Sequence, residues 1–235
     1  DFDNIGLMCG STAREVEGIL LCLDINRDII EKAVSYGCNL IVSHHPLIFS
    51  PLKSVDFDTR LGSYLELLIK NEINVVSYHT NIDKAEQGLS YEMAKRLQGE
   101  NIRATDAEFG VLFDVKPIKL NDFAKKTAEV FSDKSIKISG RGDKTIKTVF
   151  AVSGSGGRDA DAYKTAKENA DVFLTAEVKH SFFLEAEHDG LSIIELSHHG
   201  SEAIVCDIFE RALKPLDVKI IKANSECPFR TLEEI

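Results

Sequence analysis

The stretch IVSHHPLIFS, residues 41–50, decides how the rest of the chain is read. An apolar run ends in a serine, two adjacent histidines follow, and a proline closes the group. On a regular strand, neighbouring side chains point to opposite faces. Two adjacent histidines therefore serve one neighbourhood only where a strand is ending. Pro46 supplies that ending, because it lacks the N–H a ladder needs and holds His45 in an extended conformation. Taken alone, the pair is read equally well as a core histidine beside a solvent-facing one. Two further apolar runs end in the same way, in VVSYHT (75–80) and ELSHHG (195–200). Five of the seven histidines, His44, His45, His79, His198 and His199, sit at these three ends. In open α/β sheets, ligands gather at the carboxyl ends of strands.

Outward from these ends, the chain alternates between strand and helix patterns. EGILLCLDI (17–25) reads as a buried strand, followed by a helix over 27–37 capped by Asn26 and stopped by Gly37. Helical spacing recurs over 59–72, a strand over 73–79 and a helix over 88–98. Strands over 109–115 and 135–140 bracket a helix capped by Asn121. A strand over 145–157 ends in the glycine loop GSGG, and a helix over 158–169 follows. Strand 171–177, helix 178–190, strand 192–197, helix 200–213 and strand 218–224 complete the chain. Such alternation predicts two layered α/β domains with largely parallel strands. The expected division is a metal-binding domain formed by 1–104 and 191–235, with a second α/β domain over 105–190.

Composition limits the function classes. The 235 residues are 43% hydrophobic and 28% charged, enough for a substantial core. A net charge of −10 argues against nucleic acid as a partner, which wants a basic face. The five cysteines form no C-x-x-C pair, so a disulfide framework or cysteine-based zinc site is not expected, and a reducing cytosol is. No run reaches the roughly 18 apolar residues of a membrane span. The chain starts at Asp1 rather than Met, so residues preceding it are expected in the natural protein.

The other strand ends add carboxylates. In HTNID (79–83), His79, Asn81 and Asp83 share a side if the extension continues, although Asn81 and Asp83 also suit a turn or a helix cap. In HHGSE (198–202), His198 and Glu202 are four apart, which puts both on one helix face. A capped helix with a surface ion pair would look the same. Together the three ends hold more imidazole and carboxylate than one tetrahedral zinc with an open position takes. They suit two metals, with Glu202 as the bridging carboxylate. GSGG could cradle a phosphate on backbone N–H groups, or serve only a tight strand-to-helix turn, the commoner use. Glu177 and His180 lie just past a strand end, and His180, like His79, is a candidate for proton transfer.

FDNIGL (2–7), SHHPLIF (43–49), HTNID (79–83), GSGG (154–157), TAEVKH (175–180) and HHGSE (198–202) occur in this order over nearly the whole chain. Together they resemble the Nif-three-like dinuclear-metal hexameric family, whose members commonly bear the name GTP cyclohydrolase 1 type 2. SHHPLIF is the most specific of these motifs. The resemblance implies five metal ligands: His45 and Asp83 on one ion, His44 and His198 on the other, and Glu202 touching both. It also implies a toroidal homohexamer with the metals facing an inner cavity. Phe2 stands where the family typically has Trp, Ala176 where it has Gly, and Ser197 where it has Gly, while His199 adds an imidazole. None of these departures removes a ligand. The expected cofactors are two divalent ions per subunit, with zinc, iron, manganese, cobalt and nickel all compatible with the donors. The expected activity is metal-dependent hydrolysis of a nucleotide or other small molecule, in the family's case GTP and water to formate and 7,8-dihydroneopterin triphosphate. The alternative is a non-catalytic metal scaffold, metal carrier or accessory factor for cofactor assembly.

Overall fold

A computed structural model describes residues 3–223 and 226–232. In chain order the first elements are β1 (Gly6–Cys9), β2 (Gly18–Cys22), α1 (Arg27–Ser35), β3 (Leu40–Ser43), α2 (Arg60–Lys70) and β4 (Asn74–Ser77). Next come α3 (Thr80–Asp83), α4 (Leu89–Arg96), β5 (Glu100–Ala104), β6 (Val111–Lys119), α5 (Leu120–Phe131) and β7 (Lys137–Ser139). After β8 (Thr145–Ala151), a 3₁₀ turn over Gly154–Arg158 leads into α6 (Ala160–Asn169) and β9 (Val172–Ala176). The last are α7 (His180–Asp189), β10 (Ser192–Leu196), α8 (His198–Glu202), α9 (Val205–Leu213) and β11 (Lys219–Lys222). Among the described residues no helix is long and apolar enough to cross a membrane.

The chain divides into two compact units. The first comprises the described residues through Ile82 together with Val205–Glu226, and the second those from Asp83 to Ile204 and from Cys227 onward. In the first, the strand order is β1-β4-β3-β2-β11. β11, β2, β3 and β4 run parallel, and β1 pairs antiparallel with β4 at the edge. Its core packs Leu20, Ile29, Ile30, Ile41, Leu68 and Val75. Asn26 caps α1 as expected, its side chain accepting the Ile29 N–H at 2.9 Å, and Gly37 ends the helix at φ +65°. Thr59 performs the same capping for α2.

The second unit has strand order β5-β6-β8-β9-β10-β7. Only β8, β9 and β10 run parallel; β5–β6, β6–β8 and β7–β10 are antiparallel. The expectation of largely parallel strands thus fits the first sheet, whereas the second is mixed. The turn from Ala104 to Val111 is too short for the crossover that a parallel pair needs. Phe150 and Phe173 stack at 5.7 Å between centroids in this unit's core.

The unit boundaries fall at 82/83 and 204/205, not at the expected 104/105 and 190/191. The expected boundary at 104/105 falls inside the β5–β6 hairpin of one sheet. β10 stays with the second sheet because it pairs with both β9 and β7. The helix expected over 200–213 is two helices, α8 and α9, and the chain passes from one unit to the other between them. Asn121 does not cap α5, which already begins at Leu120. Its first N–H groups are satisfied by backbone instead, Leu120 N donating to Lys144 O at 2.9 Å and Asn121 N to Gly142 O at 3.1 Å.

Candidate functional site

In the first unit, β4, β3 and β2 are neighbours in the sheet, and the carboxyl end of each delivers an ionisable side chain. Asp24 follows β2, His44 and His45 follow β3, and His79 follows β4. The backbone shows how two adjacent histidines come to one place. The N–H groups of His44 and His45 both turn toward β2, donating to Cys22 O at 3.2 Å and Leu23 O at 3.0 Å. In a running strand, successive N–H groups alternate between the two neighbours. The pleat has therefore ended by His45, just before Pro46, and the two rings lie 5.1 Å apart between centroids. The recurring serines have local roles as well. Ser43 Oγ donates to His45 O at 2.9 Å and lies 2.8 Å from Ser77 Oγ, which ties the ends of β3 and β4 together. His79 then sits 5.2 Å from the His44 ring and 5.8 Å from that of His45.

Each of these rings is anchored through Nδ1. His44 Nδ1 is 2.8 Å from the Tyr78 carbonyl, His45 Nδ1 2.7 Å from Asp24 Oδ1, and His79 Nδ1 2.7 Å from Asp3 Oδ1. Carbonyls and carboxylates only accept, so Nδ1 carries the hydrogen and the lone pair of a neutral ring is on Nε2. Metal-ligating histidines are held in this way. One ring nitrogen from each of His44, His45 and His79 lies within 4.8 Å of the others. Asp3 also accepts from the Thr80 N–H at 3.1 Å and the Thr80 hydroxyl. Burial pushes the Asp3 carboxyl up, but the hydrogen bonds from Thr80 and His79 outweigh it and hold the group at about 2. Burial lowers His79, with the neighbouring His44 and His45 acting in the same direction and Asp3 against it.

In the second unit, the parallel strands β8, β9 and β10 are neighbours too. Their carboxyl ends carry the GSGG turn, Glu177 and Ser197-His198, in that order. Ser197 caps α8 by accepting the Gly200 N–H at 2.9 Å. Asp133 Oδ2 braces the cap, accepting from Ser197 N at 2.6 Å and Ser197 Oγ at 2.8 Å. Burial raises the Asp133 carboxyl, yet these bonds and those from Ser135 bring it below the usual range. One turn of α8 sets His198 Nε2 2.8 Å from Glu202 Oε2, as the i, i+4 spacing predicted. Glu202 is only 4% exposed, so it is not half of a surface ion pair. The other nitrogen, His198 Nδ1, lies 3.0 Å from Glu177 Oε1, and Glu177 Oε2 is 3.1 Å from Arg158 Nε.

The GSGG segment is a turn fitted to Glu202. Gly154 has φ +58°, donates its N–H to Ser201 Oγ at 3.0 Å, and a Cβ there would stand 2.0 Å from Glu202 Oε1. Gly156 N–H is used within the turn, on Ser153 O at 3.3 Å. The tight-turn reading of these glycines therefore has the support of the structure. HTNID does not stay extended, because Thr80–Asp83 forms the helical turn α3. Asp83 ends that turn and lines a cleft of the second unit with Lys84, Tyr91 and Phe109. His180 is exposed at the first position of α7.

Imidazole nitrogens and carboxylate oxygens fit divalent zinc, iron, manganese, cobalt or nickel. Cys206 and Cys22 are poor ligands: burial pushes the Cys206 thiol up to about 12 and Cys22 well above its ordinary value. Asp24 and Asp133 escaped the reading of the sequence. Asp24 had a signal, since it lies just past the third of three parallel strands, while Asp133 had none.

The model of the Duf34/NIF3 (NGG1p interacting factor 3) family matches residues 1–228. A GTP cyclohydrolase 1 type 2 homolog of Clostridium acetobutylicum is 32% identical over 165 residues, 66% of this chain and 62% of that protein. A homolog of the same description from Clostridium perfringens is 32% identical over 171 residues, again at 62% of its length, so the matches span less than two thirds of these relatives. Among solved structures, a Staphylococcus aureus hypothetical protein superposes with a TM-score of 0.88 at 24% identity, covering 98% of this chain and 92% of that one. Reduced HcgD from Methanocaldococcus jannaschii gives 0.80 at 27% identity, covering 94% and 89%.

Proposed function

The chain belongs to the Duf34/NIF3 family, and on that premise we propose that it is a metal-dependent hydrolase carrying two divalent ions. The observation that carries this reading is the common anchoring of His44, His45 and His79, each with Nδ1 at a carbonyl or carboxylate oxygen. Nothing in packing alone requires three imidazoles to be set in the same tautomer. The proposed ligands are the five that the family resemblance implies, His44, His45, Asp83, His198 and Glu202. Bound there, divalent ions would supply a hydroxide-like nucleophile near neutral pH and polarise the group attacked. The chain's own part is orientation and proton transfer. Asp24 and the Tyr78 carbonyl hold the rings of His45 and His44. His79, fixed by Asp3, offers Nε2 for moving a proton, and His180 is a second candidate.

The substrate class follows from the description carried by the relatives. We take it to be GTP, opened at C8 of the guanine ring and converted with water to formate and 7,8-dihydroneopterin triphosphate. The proposed assembly is a toroidal homohexamer in the cytoplasm. Metal analysis and formate release from GTP test the reading, on wild type, Glu202→Gln and His45→Ala. Both variants should lose metal and activity. Unchanged metal content in both would sink the ligand assignment. Metal without formate above background would leave a metal carrier or scaffold as the surviving function. A monomer in light scattering at high concentration would remove the hexamer.

A further inference from the structure

Five described residues other than glycine have positive φ: Glu72, Gln98, Asn101, Ser132 and Glu177. Glu72, Gln98 and Ser132 lie at the ends of α2, α4 and α5, where a left-handed residue is an ordinary helix stop. Asn101 is of a type that tolerates this region. Glu177 has neither explanation. It follows β9 directly, at φ +52°, with Ala176 before it fully buried. A long side chain in the left-handed region is strained, and strain of this kind persists where the surroundings impose it, often at functional positions.

The strained backbone has a specific product. One carboxylate oxygen of Glu177 lies 3.0 Å from His198 Nδ1 and the other 3.1 Å from Arg158 Nε. His198 therefore has a carboxylate at each ring nitrogen, Glu177 at Nδ1 and Glu202 2.8 Å from Nε2. The two compete for the ring hydrogen. With Glu177 in place, Nδ1 holds a hydrogen and Nε2 can present its lone pair to a cation beside Glu202. Without Glu177, Glu202 draws that hydrogen onto Nε2, the atom a metal would need.

We infer that Glu177 is a positioning residue that sets the tautomer of His198, and that the left-handed backbone at 177 is tolerated for this purpose. The inference rests on the metal-binding reading above, and the readouts separate the two. Glu177→Gly suits φ +52° and deletes the carboxylate. Glu177→Gln keeps an acceptor oxygen without the charge. Titration with Co2+, followed by its visible absorbance and by chelator competition, should show a loss of about 10–100-fold in affinity for the glycine variant. The glutamine variant should fall between the two. Nitrogen NMR of the metal-free proteins should show hydrogen held on His198 Nδ1 in wild type, and loss of that Nδ1 hydrogen in Glu177→Gly, where Glu202 alone keeps one on Nε2. The metal-free glycine variant should melt no lower than wild type, because relief of strain offsets the loss of a half-exposed ion pair.

Unchanged Co2+ affinity with an unchanged His198 tautomer overturns the inference. So does a clearly lowered melting temperature with the tautomer preserved, which would make Glu177 a structural clamp on Arg158. If wild type itself takes up no Co2+, the metal reading fails, and the tautomer comparison still decides the role of Glu177.

Discussion

Gly154→Ala is the most informative single-methyl change in this chain. Two penalties are expected, and they have different origins. The first is backbone strain, because an L-residue at φ +58° costs about 1–2 kcal/mol. The second is steric. The added Cβ would stand 2.0 Å from Glu202 Oε1 and 3.0 Å from Glu202 Cδ, and Glu202 is buried. Overpacking of this kind costs about 1–3 kcal/mol more. Gly190→Ala separates the two. Gly190 has φ +70° at the end of α7, and nothing lies within 4 Å of its Cβ position. That variant should show the strain alone, about 1–2 kcal/mol.

Urea denaturation of both variants, with Co2+ titration alongside, measures the difference. Gly154→Ala should be the less stable by about 1–3 kcal/mol and should bind the ion more weakly, since the displaced group is the proposed shared ligand. Gly190→Ala should bind it normally. Combining Gly154→Ala with Glu202→Ala removes the clash, so the double variant should be more stable than the sum of the single losses. Equal stability for the two glycine variants, with equal Co2+ affinity, would refute the claim that GSGG is shaped around Glu202.

Three further outcomes are expected. Asp3, held at about 2 in the folded chain against about 3.9 unfolded, contributes about 2 kcal/mol above pH 4, and this is lost as pH falls from 4 toward 2; an Asp3→Asn stability difference that stays constant over that range would contradict it. Asp133→Ala takes the acceptor from the half-buried N–H and hydroxyl of Ser197 and should cost about 1–3 kcal/mol in denaturant while weakening Co2+ binding, whereas a loss below about 0.5 kcal/mol would mean that α8 does not need its brace. Thr59→Ala removes the cap of α2, where Thr59 Oγ accepts the Gly62 N–H at 3.1 Å; it should cost about 1 kcal/mol and leave Co2+ affinity unchanged, and a change in affinity would show that capping losses reach the proposed ligands.

What the sequence displayed and what it concealed divide along a physical line. Elements with a strong apolar period were legible: β2, β3, β4, β9 and β10 are almost wholly buried, and α1 and α2 carry their caps in the expected type of residue. β5 was not, because ENIRA is an edge strand whose side chains are mostly exposed, and an exposed edge need not alternate. α3 is four residues long, too short to show any period. The break between α8 and α9 was invisible for the opposite reason, since the apolar residues keep helical spacing across Ala203 and Ile204 while the backbone does not. Candidate ligands showed through because their residue types and their position after a strand are local properties.

The acceptors that orient the side chains at these strand ends are a different matter, and the difference explains why the candidate site was only half readable. Asp24 reaches His45 from 21 residues away, Asp3 reaches His79 from 76, and Asp133 reaches Ser197 from 64. None forms a motif with its target. Topology brings the first about: β2 and β3 are parallel neighbours, so whatever follows one must lie beside whatever follows the other. The same holds in the second unit for Glu177 after β9 and His198 after β10. In both units a histidine just past one parallel strand is oriented by a carboxylate just past its neighbour. A strand pairing inferred from sequence would therefore have predicted Asp24 and Glu177 as partners of His45 and His198. Asp133 lies outside that rule, for it follows a helix, and no pairing of strands could have pointed to it.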